Sequence, residues 1–143
     1  MIRKYAKTDS HQIMQIWLAG NLEAHPFIPY QYWLDNYPLV ESQLPLAEVF
    51  VYEAEGHILG FIGLEDTYIA GIFVDTKHRS AGIGKQLLTH AKNERGSLSL
   101  QVYQQNKRAV DFYIREGFSV SAEGVDDQTA EAEYTMTWSA DGS

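Results

Sequence analysis

The first third of the chain shows apolar residues at helical spacing, set between polar and proline-containing segments. A short strand is predicted over residues 2–6, and the polar residues 8–10 after it are of types that cap helix N-termini. The spacing predicts a first helix that ends near residues 21–25. A second helix is predicted over residues 30–42, although Pro38 is expected to weaken or break it because proline removes a backbone hydrogen bond.

From residue 47 the apolar residues follow the two-residue period of strands. Residues 49–52 and 58–64 predict a hairpin around a turn at 55–57. A third strand is predicted over residues 68–75, and its segment 72–74 is apolar on both faces, as in the centre of a sheet. These strands form a predicted meander.

The second half of the chain alternates helices and strands. The predicted order is a glycine-bearing loop at 77–83, a helix from 83 to near Gly96, a strand at 98–102, a helix at 106–116, and strands at 118–122 and 133–138. A helix separates the strand at 68–75 from the strand at 98–102, so we expect this pair to be parallel with a right-handed crossover. The acidic residues 123–131 are expected to form the loop of a final hairpin.

Length and composition favour one domain spanning residues 1–143. A chain of 143 residues with 45% hydrophobic residues can build one buried core. The sequence has no cysteine, which excludes a disulfide framework, a thiol nucleophile, a zinc ribbon and an iron–sulfur cluster, and no metal site is predicted. We expect neither a signal peptide nor a membrane span, and therefore a cytoplasmic protein that does not bind membranes.

The charge balance indicates which partners the surface attracts. Lys and Arg total 11 against 19 Asp and Glu, which gives a formal net charge of −8. An acidic surface repels the phosphates of nucleic acid, so nucleic acid is not an expected partner. Amines and basic protein segments are attracted instead.

A glycine-containing segment stands where a predicted buried strand leads into a helix. Backbone N–H groups and the helix dipole at such a position favour a bound anion. The segment from Arg79 to Lys85 does not match a Walker loop, because Gln86 follows Lys85, nor a dinucleotide fingerprint, because Leu87 stands where the third glycine is required. What remains is Arg-x-x-Gly-x-Gly, and an ordinary turn before a helix is the alternative.

A second motif lies in the predicted helix at 106–116. It reads Asn-x-x-Ala-x-x-Phe-Tyr, followed after three residues by Gly-Phe. Ala109, Phe112 and Tyr113 share one helical face, because they are three and four residues apart. This face can equally be core packing, with Asn106 as a helix N-cap and Tyr113 as a buried tyrosine.

Together, the two motifs resemble the signatures of the GNAT superfamily of N-acetyltransferases in order, spacing and predicted secondary structure. The resemblance covers essentially the whole chain. It implies an α/β (α+β) fold with a mixed, mostly antiparallel sheet of about seven strands flanked by about four helices. In that fold the two parallel strands, here 68–75 and 98–102, splay apart in a V and leave backbone groups that need a partner.

The resemblance implies acetyl-coenzyme A (acetyl-CoA) as the acetyl donor. Its pantetheine arm is expected to fill the V and to bond to the backbone of Ile72, Phe73 and Val74. Its pyrophosphate is expected on the glycine loop, at residues Arg79, Ser80, Ala81, Gly82, Ile83, Gly84 and Lys85. The facing helix is expected to contact the coenzyme through Asn106, Ala109, Phe112 and Tyr113.

The implied reaction is direct attack of an amine on the thioester in a ternary complex, which agrees with the absence of a cysteine that could form an acyl-enzyme. Tyr113 matches the family's tyrosine that protonates the leaving thiolate, and a strand N–H near Phe73 or Val74 is expected to stabilise the oxyanion. An amine of pKa about 10.4 is protonated at neutral pH, so a base is needed. Glu65 is the first candidate and His25 the second, and each has a purely structural alternative.

Aromatic residues are expected on the acceptor side, because their rings can hold an ammonium group. The candidates are Phe27, Tyr30, Trp33 and Tyr68, with core packing as the alternative. The acceptor is expected to be a small-molecule amine, a protein lysine or a protein N-terminus, and the protein a monomer or a homodimer. The rival interpretation is a non-catalytic module that binds acyl-CoA as a sensor or docks to a partner.

Overall fold

Seven strands form one sheet in the computed structural model, which describes residues 1–142 and all their side chains except that of Ser80. The strands are β1 Ile2–Lys4, β2 Glu48–Ala54, β3 His57–Glu65, β4 Tyr68–Val74, β5 Ser97–Tyr103, β6 Ser119–Val125 and β7 Ala132–Ser139. The α-helices are α1 Ser10–Ala24, α2 Tyr30–Gln43, α3 Ile83–Glu94 and α4 Lys107–Arg115. The strand order is β1-β2-β3-β4-β5-β7-β6, and β4 with β5 is the parallel pair, so the predicted mixed sheet is confirmed.

The helices cover both faces of the sheet, because side chains alternate between the faces along each strand. On one face, α3 and α4 pack over a core that includes Phe50, Ile62 and Leu88. On the other face, α1 and α2 pack over a core that includes Trp17 and Val51. Phe50 and Val51 are consecutive residues of β2 and enter opposite cores. No helix within residues 1–142 is long and apolar enough to cross a membrane.

Helix α2 continues through Pro38, so the expected break at this residue is wrong. Proline in a helix interior costs about 3 kcal/mol. The helix persists because Trp33 is buried against Trp17 of α1, with the two ring centroids 5.9 Å apart, and Tyr37 lies 6.2 Å from the same ring. Tertiary packing of this kind provides most of the stability of helices in proteins.

The polar residues before α1 form a short 3-10 turn, Lys7–Asp9, and no side chain caps the helix. The Asp9 carboxylate instead accepts a hydrogen bond from the Ala6 N–H at 2.8 Å and pairs with Arg3 at 2.8 Å. Arg3 holds the pKa of Asp9 below its ordinary value. The pair therefore joins β1 to the start of α1.

Strands β4 and β5 separate soon after they begin. Two residue pairs join them, Tyr68 with Ser99 and Ile69 with Leu100, although each strand has 7 residues. The predicted V-shaped splay is thus confirmed. Residues 72–74 are half-buried rather than fully buried, because on the side away from β3 they border the opening instead of β5.

The segment between β4 and α3 is more regular than the loop predicted at 77–83. It forms a 3-10 helix, Thr76–Ala81, which starts where the Asp75 carboxylate accepts a hydrogen bond from the Lys77 N–H. Gly82 follows in the left-handed conformation with φ of 76° and leads directly into α3. A residue with a side chain is strained in that conformation, so glycine is required there.

Candidate active site

A cavity of about 1080 Å³ occupies the gap between β4 and β5. Residues 70–74 of β4 and 101–103 of β5 form two of its walls. Other walls come from α1, the start of α3 and one face of α4. Its volume is that of a cofactor or substrate site, so the gap is the candidate active site.

The backbone of β4 presents free N–H groups to this cavity. The N–H of Asp75 bonds to the Leu59 carbonyl on the β3 side at 2.8 Å. In an antiparallel pair the N–H groups of successive residues point to alternate sides, so those of Ile72 and Val74 point away from β3. Strand β5 no longer pairs at this level, and both groups lack a strand partner among the described residues. They are available to a ligand in the gap.

Most residues that the sequence analysis assigned to the coenzyme line the cavity. These are Ile72, Phe73, Val74, Arg79, Gly82, Gly84, Lys85, Asn106, Phe112 and Tyr113. Ala81, Ile83 and Ala109 do not, and Ser80 lies outside the described side chains. Ile83 is buried in the core beneath α3, and the Ala109 N–H bonds to the Asn106 side chain at 3.3 Å, which confirms Asn106 as the N-cap of α4.

The residues predicted for the acceptor are divided between the cavity and its surroundings. Trp33 and Tyr68 line it, as does the candidate base His25. Phe27 does not line the cavity, but its ring packs edge-on against that of His25, with the ring centroids 5.7 Å apart. Tyr30 is 57% exposed and lies outside the cavity.

The N-terminus of α3 forms an anion-binding edge of the cavity. The first bond of the helix runs from the Gln86 N–H to the Gly82 carbonyl at 3.1 Å, so the N–H groups of residues 83–85 have no helical partner. Free N–H groups at a helix N-terminus favour a phosphate group. Arg79 also lines the cavity, and its guanidinium is paired with the Glu23 carboxylate.

Tyr113 contributes a hydroxyl group to the cavity, and this hydroxyl forms no hydrogen bond with the described residues. Its side chain is 8% exposed and lines the cavity, and its hydroxyl has no hydrogen-bond partner among residues 1–142. Burial raises the pKa of this hydroxyl above its ordinary value, with a smaller contribution from Tyr68. Tyr113 is therefore protonated at neutral pH and can donate a proton to a bound molecule.

These features coincide with a known family. A family model described as an acetyltransferase (GNAT) domain matches residues 45–120, which include the glycine segment, α3 and the whole Asn-to-Tyr motif helix. The chain belongs to the GNAT family of N-acetyltransferases. Its acetyl donor is acetyl-CoA, and the prediction of an acetyl-CoA-dependent enzyme that acts on an amine is confirmed.

Known proteins match this acetyltransferase over nearly its whole length. It is similar to the peptidyl-lysine N-acetyltransferase YiaC of Escherichia coli, with 35% identity over 140 residues and 96% of each chain covered. The solution structure of apo YjaB from Escherichia coli superimposes with a TM-score of 0.87 at 28% identity, covering 96% of both chains. YncA of Salmonella typhimurium, solved with acetyl-CoA, shares the fold with a TM-score of 0.70 at 19% identity, over 98% of this chain and 93% of the other.

The two candidate bases of the acetyltransferase occupy different surroundings. His25 lines the cavity and stacks on Trp33 with the ring centroids 5.4 Å apart, and burial lowers its pKa to about 4. Its Nε2 accepts a hydrogen bond from the Asn106 side-chain nitrogen at 3.3 Å, so the imidazole is neutral and already engaged. Glu65 is exposed at the end of β3 and does not line the cavity.

Two glycines not singled out from the sequence make room for Phe73. A Cβ atom at Gly71 would lie 2.5 Å from Cε2 of Phe73, and one at Gly20 of α1 would lie 3.0 Å from its Cδ1. The ring also stacks on Phe61 with the centroids 5.3 Å apart. The absence of side chains at Gly20 and Gly71 therefore leaves the space that the Phe73 ring occupies.

The sequence analysis predicted one member, Tyr68, of a polar group at the cavity and missed the other four. We call it the acceptor side, and it consists of Tyr68, Gln101, Tyr103, Asp126 and Glu133. Tyr103 and Glu133 are cross-strand partners on β5 and β7, and the Tyr103 ring contacts that of His25 at 5.1 Å. These side chains therefore lie on the sheet face covered by α1 and α2, opposite the face covered by α3 and α4.

The sequence signal for Asp126 was misleading. The acidic residues 123–131 suggested a solvated loop, whereas β6 extends to Val125 and β7 begins at Ala132. The extension brings Asp126 to Tyr103, whose hydroxyl donates to its Oδ2 at 2.5 Å. Only the register of three strands, which the sequence does not show, places these residues together.

Proposed function

We propose that this acetyltransferase modifies lysine side chains of proteins. The observation that carries the proposal is the chemistry of the acceptor side, where two tyrosine rings stand beside two carboxylates. Carboxylates attract an ammonium group, and aromatic rings can hold the alkyl chain that carries it. YiaC and YjaB, both named as peptidyl-lysine N-acetyltransferases, are 35% and 31% identical to the chain over 96% and 88% of its length.

The coenzyme is proposed to bind from the face of the sheet covered by α3 and α4. The N–H of Ile72 would bond to the amide-containing arm, and the N–H groups of residues 83–85 would hold the pyrophosphate. Lys85 lines the same part of the cavity and would neutralise phosphate charge. Bound in this way, acetyl-CoA supplies an activated acetyl thioester within the gap.

Tyr113 is proposed to protonate the departing sulfur. Its hydroxyl lines the gap from α4, is protonated at neutral pH and has no competing partner among the described residues. The free N–H of Val74 is proposed to stabilise the oxyanion that forms on attack, because an oriented backbone donor needs no reorganisation at that moment. His25 is proposed to position Asn106, through their hydrogen bond, rather than to carry protons.

The acceptor class can be tested with matched peptides. One peptide carries a single lysine and a blocked N-terminus, a second has arginine at that position, and a third has a free N-terminus and no lysine; a polyamine and an amino sugar complete the set. Incubation with acetyl-CoA, thiol release and mass spectrometry would locate the acetyl group. We expect acetylation of the lysine peptide alone among the peptides. Turnover confined to the free N-terminus or to the small amines would contradict the proposal.

A further inference from the structure

The charges around the cavity separate by side. The lysine and arginine residues that line it belong to α3, α4 and the segment before α3: Arg79, Lys85, Arg108 and Arg115. The acceptor side contributes Asp126 and Glu133, and neither forms an ion pair with a residue of the described chain. Glu116 also lines the basic side and Arg79 is paired with Glu23, so Lys85, Arg108 and Arg115 are the cations offered to the anionic coenzyme, and the acceptor side has no cation.

The two carboxylates of the acceptor side differ in what they already bind. Asp126 accepts hydrogen bonds from the Tyr103 hydroxyl at 2.5 Å and from the Gln128 N–H at 2.9 Å. The side chain of Glu133 is half-buried and has no hydrogen-bond partner among residues 1–142. Glu133 is therefore the carboxylate that is free to receive a ligand.

Tyr68 lines the cavity between the acceptor side and α4. Its pKa is raised by burial and by the charges of Glu133, Glu65 and Asp126, and Tyr68 in turn contributes to the raised pKa of Tyr113. The Tyr68 hydroxyl donates to Gln101 at 3.3 Å, which fixes it on the acceptor side. Tyr68 therefore stands between a free carboxylate and a buried, unpartnered hydroxyl that line one cavity.

Three other groups near this position are less suited than Glu133 to accept a proton. Glu65 is exposed and outside the cavity lining. His25 is a weak base in its buried setting, and its Nε2 is occupied by Asn106. Gln101 lines the cavity but carries an amide, which is not basic at physiological pH.

We propose that Glu133 receives the ammonium group of the acceptor and removes its proton before the amine attacks. The inference rests on the proposed function, which supplies the amine. The nitrogen lone pair forms the new bond to the acetyl carbon and the carbon–sulfur bond breaks. Of the three ammonium protons, one stays on the amide nitrogen, one passes through Glu133 to solvent, and one replaces the proton that Tyr113 gives to the sulfur.

The surroundings of Glu133 suit a proton acceptor. Burial and the charges of Asp126 and Asp127 raise its pKa above the ordinary value for glutamate. Tyr68 on β4 and Tyr103 on β5 face it, and Gly124 lies opposite it on β6. A raised pKa makes the carboxylate a stronger base, which favours general base catalysis.

The test compares Glu133→Gln, Glu133→Asp and the matched control Glu123→Gln, which changes an exposed glutamate of β6 outside the cavity. With acetyl-CoA and a single-lysine peptide between pH 6 and 10, we expect Glu133→Gln to lower kcat about 100-fold near neutral pH. The acidic limb of the kcat/KM profile should also disappear. Glu133→Asp should keep that limb and recover part of kcat, and Glu123→Gln should match the wild type. Coenzyme A affinity, measured by calorimetry, should stay within about twofold in all three.

Two results would overturn the assignment. One is an unchanged kcat and pH profile in Glu133→Gln, and the other is loss of the acidic limb in Glu65→Gln while Glu133→Gln keeps it. Failure of the lysine proposal gives a different result, in which the wild type acetylates a polyamine but no peptide lysine. The same variants measured with the polyamine then decide whether Glu133 accepts the proton.

Discussion

The two sides of the cavity are built in different ways. The coenzyme side uses backbone N–H groups of β4 and of the α3 N-terminus, which secondary structure fixes within short stretches of chain. The acceptor side uses side chains from β4, β5, β7 and the β6–β7 connection. A ligand common to a family can be held by backbone geometry, whereas a ligand that differs between members requires side chains that can vary. The contrast teaches that strand register places the residues proposed for the acceptor, whereas local motifs place those proposed for the coenzyme.

The largest effect on catalysis is expected at Tyr113, where the coenzyme side and the acceptor side meet. Tyr113→Phe removes the hydroxyl but leaves a ring of the same shape to pack, so kcat should fall by about 10²–10⁴-fold. The coenzyme affinity should change little, because the ring fills the same space. Steady-state kinetics and calorimetric titration with coenzyme A would separate the two effects. Turnover within about twofold of the wild type would show that another group protonates the sulfur.

A smaller effect, confined to the coenzyme side, is expected at Gly84. A Cβ there would lie 3.7 Å from Phe112 and from Val74, which is ordinary contact, so Gly84→Val should fold while its side chain intrudes on the cavity. We expect acetyl-CoA binding to weaken at least about tenfold, or about 1.4 kcal/mol. Gly96→Val is the control, since a Cβ at Gly96 meets nothing within 4 Å. Equal affinity in the two folded variants would contradict the assignment of α3 to the pyrophosphate.

The smallest effect is expected at His25, through the pH dependence of stability. Burial lowers its pKa from 6.5 to about 4, so the unfolded chain takes up a proton first as the pH falls. The stabilising contribution of the neutral ring is complete above pH 6.5 and is lost toward pH 4. His25→Gln does not titrate and can still accept a hydrogen bond from Asn106. Between pH 7.5 and pH 5 it should lose about 1–2 kcal/mol less stability than the wild type, the lower value applying where solvent screens the partly exposed ring.

Denaturant titrations at these two pH values would measure that difference. The lowered pKa of Asp9 affects stability only below its ordinary value of 3.8, so it does not interfere in this range. Identical losses in both proteins would show that His25 is not held neutral by burial.

The sequence predicted the coenzyme side more fully than the acceptor side, for a physical reason. The N-cap Asn106 followed from the local sequence, and the splay of the parallel strands was implied by the resemblance that two local motifs carry. The path of α2 through Pro38 did not follow from the local sequence, because packing against α1 outweighs the local preference of proline. The position of Glu133 beside Tyr103 depends on strand pairing between segments that are remote in sequence.

Glycine positions divide in the same way. Gly117 ends α4 with φ of 95°, as its place after the helical motif predicted. Gly71 is required by the ring of Phe73, two residues further along β4, because a Cβ at Gly71 would lie 2.5 Å from that ring. The first requirement is local and visible in the sequence. The second arises only once α1 and β3 confine that ring.

Amide hydrogen exchange tests the central claim most directly, because it reports where the coenzyme binds along the unmodified chain. On addition of coenzyme A, the account predicts slower exchange at the N–H groups of Ile72 and Val74 and of residues 83–85, which lack partners among the described residues. Protection confined to the second cavity, lined by residues 54–55, 57–59 and 75–78, with no change in β4, would contradict it.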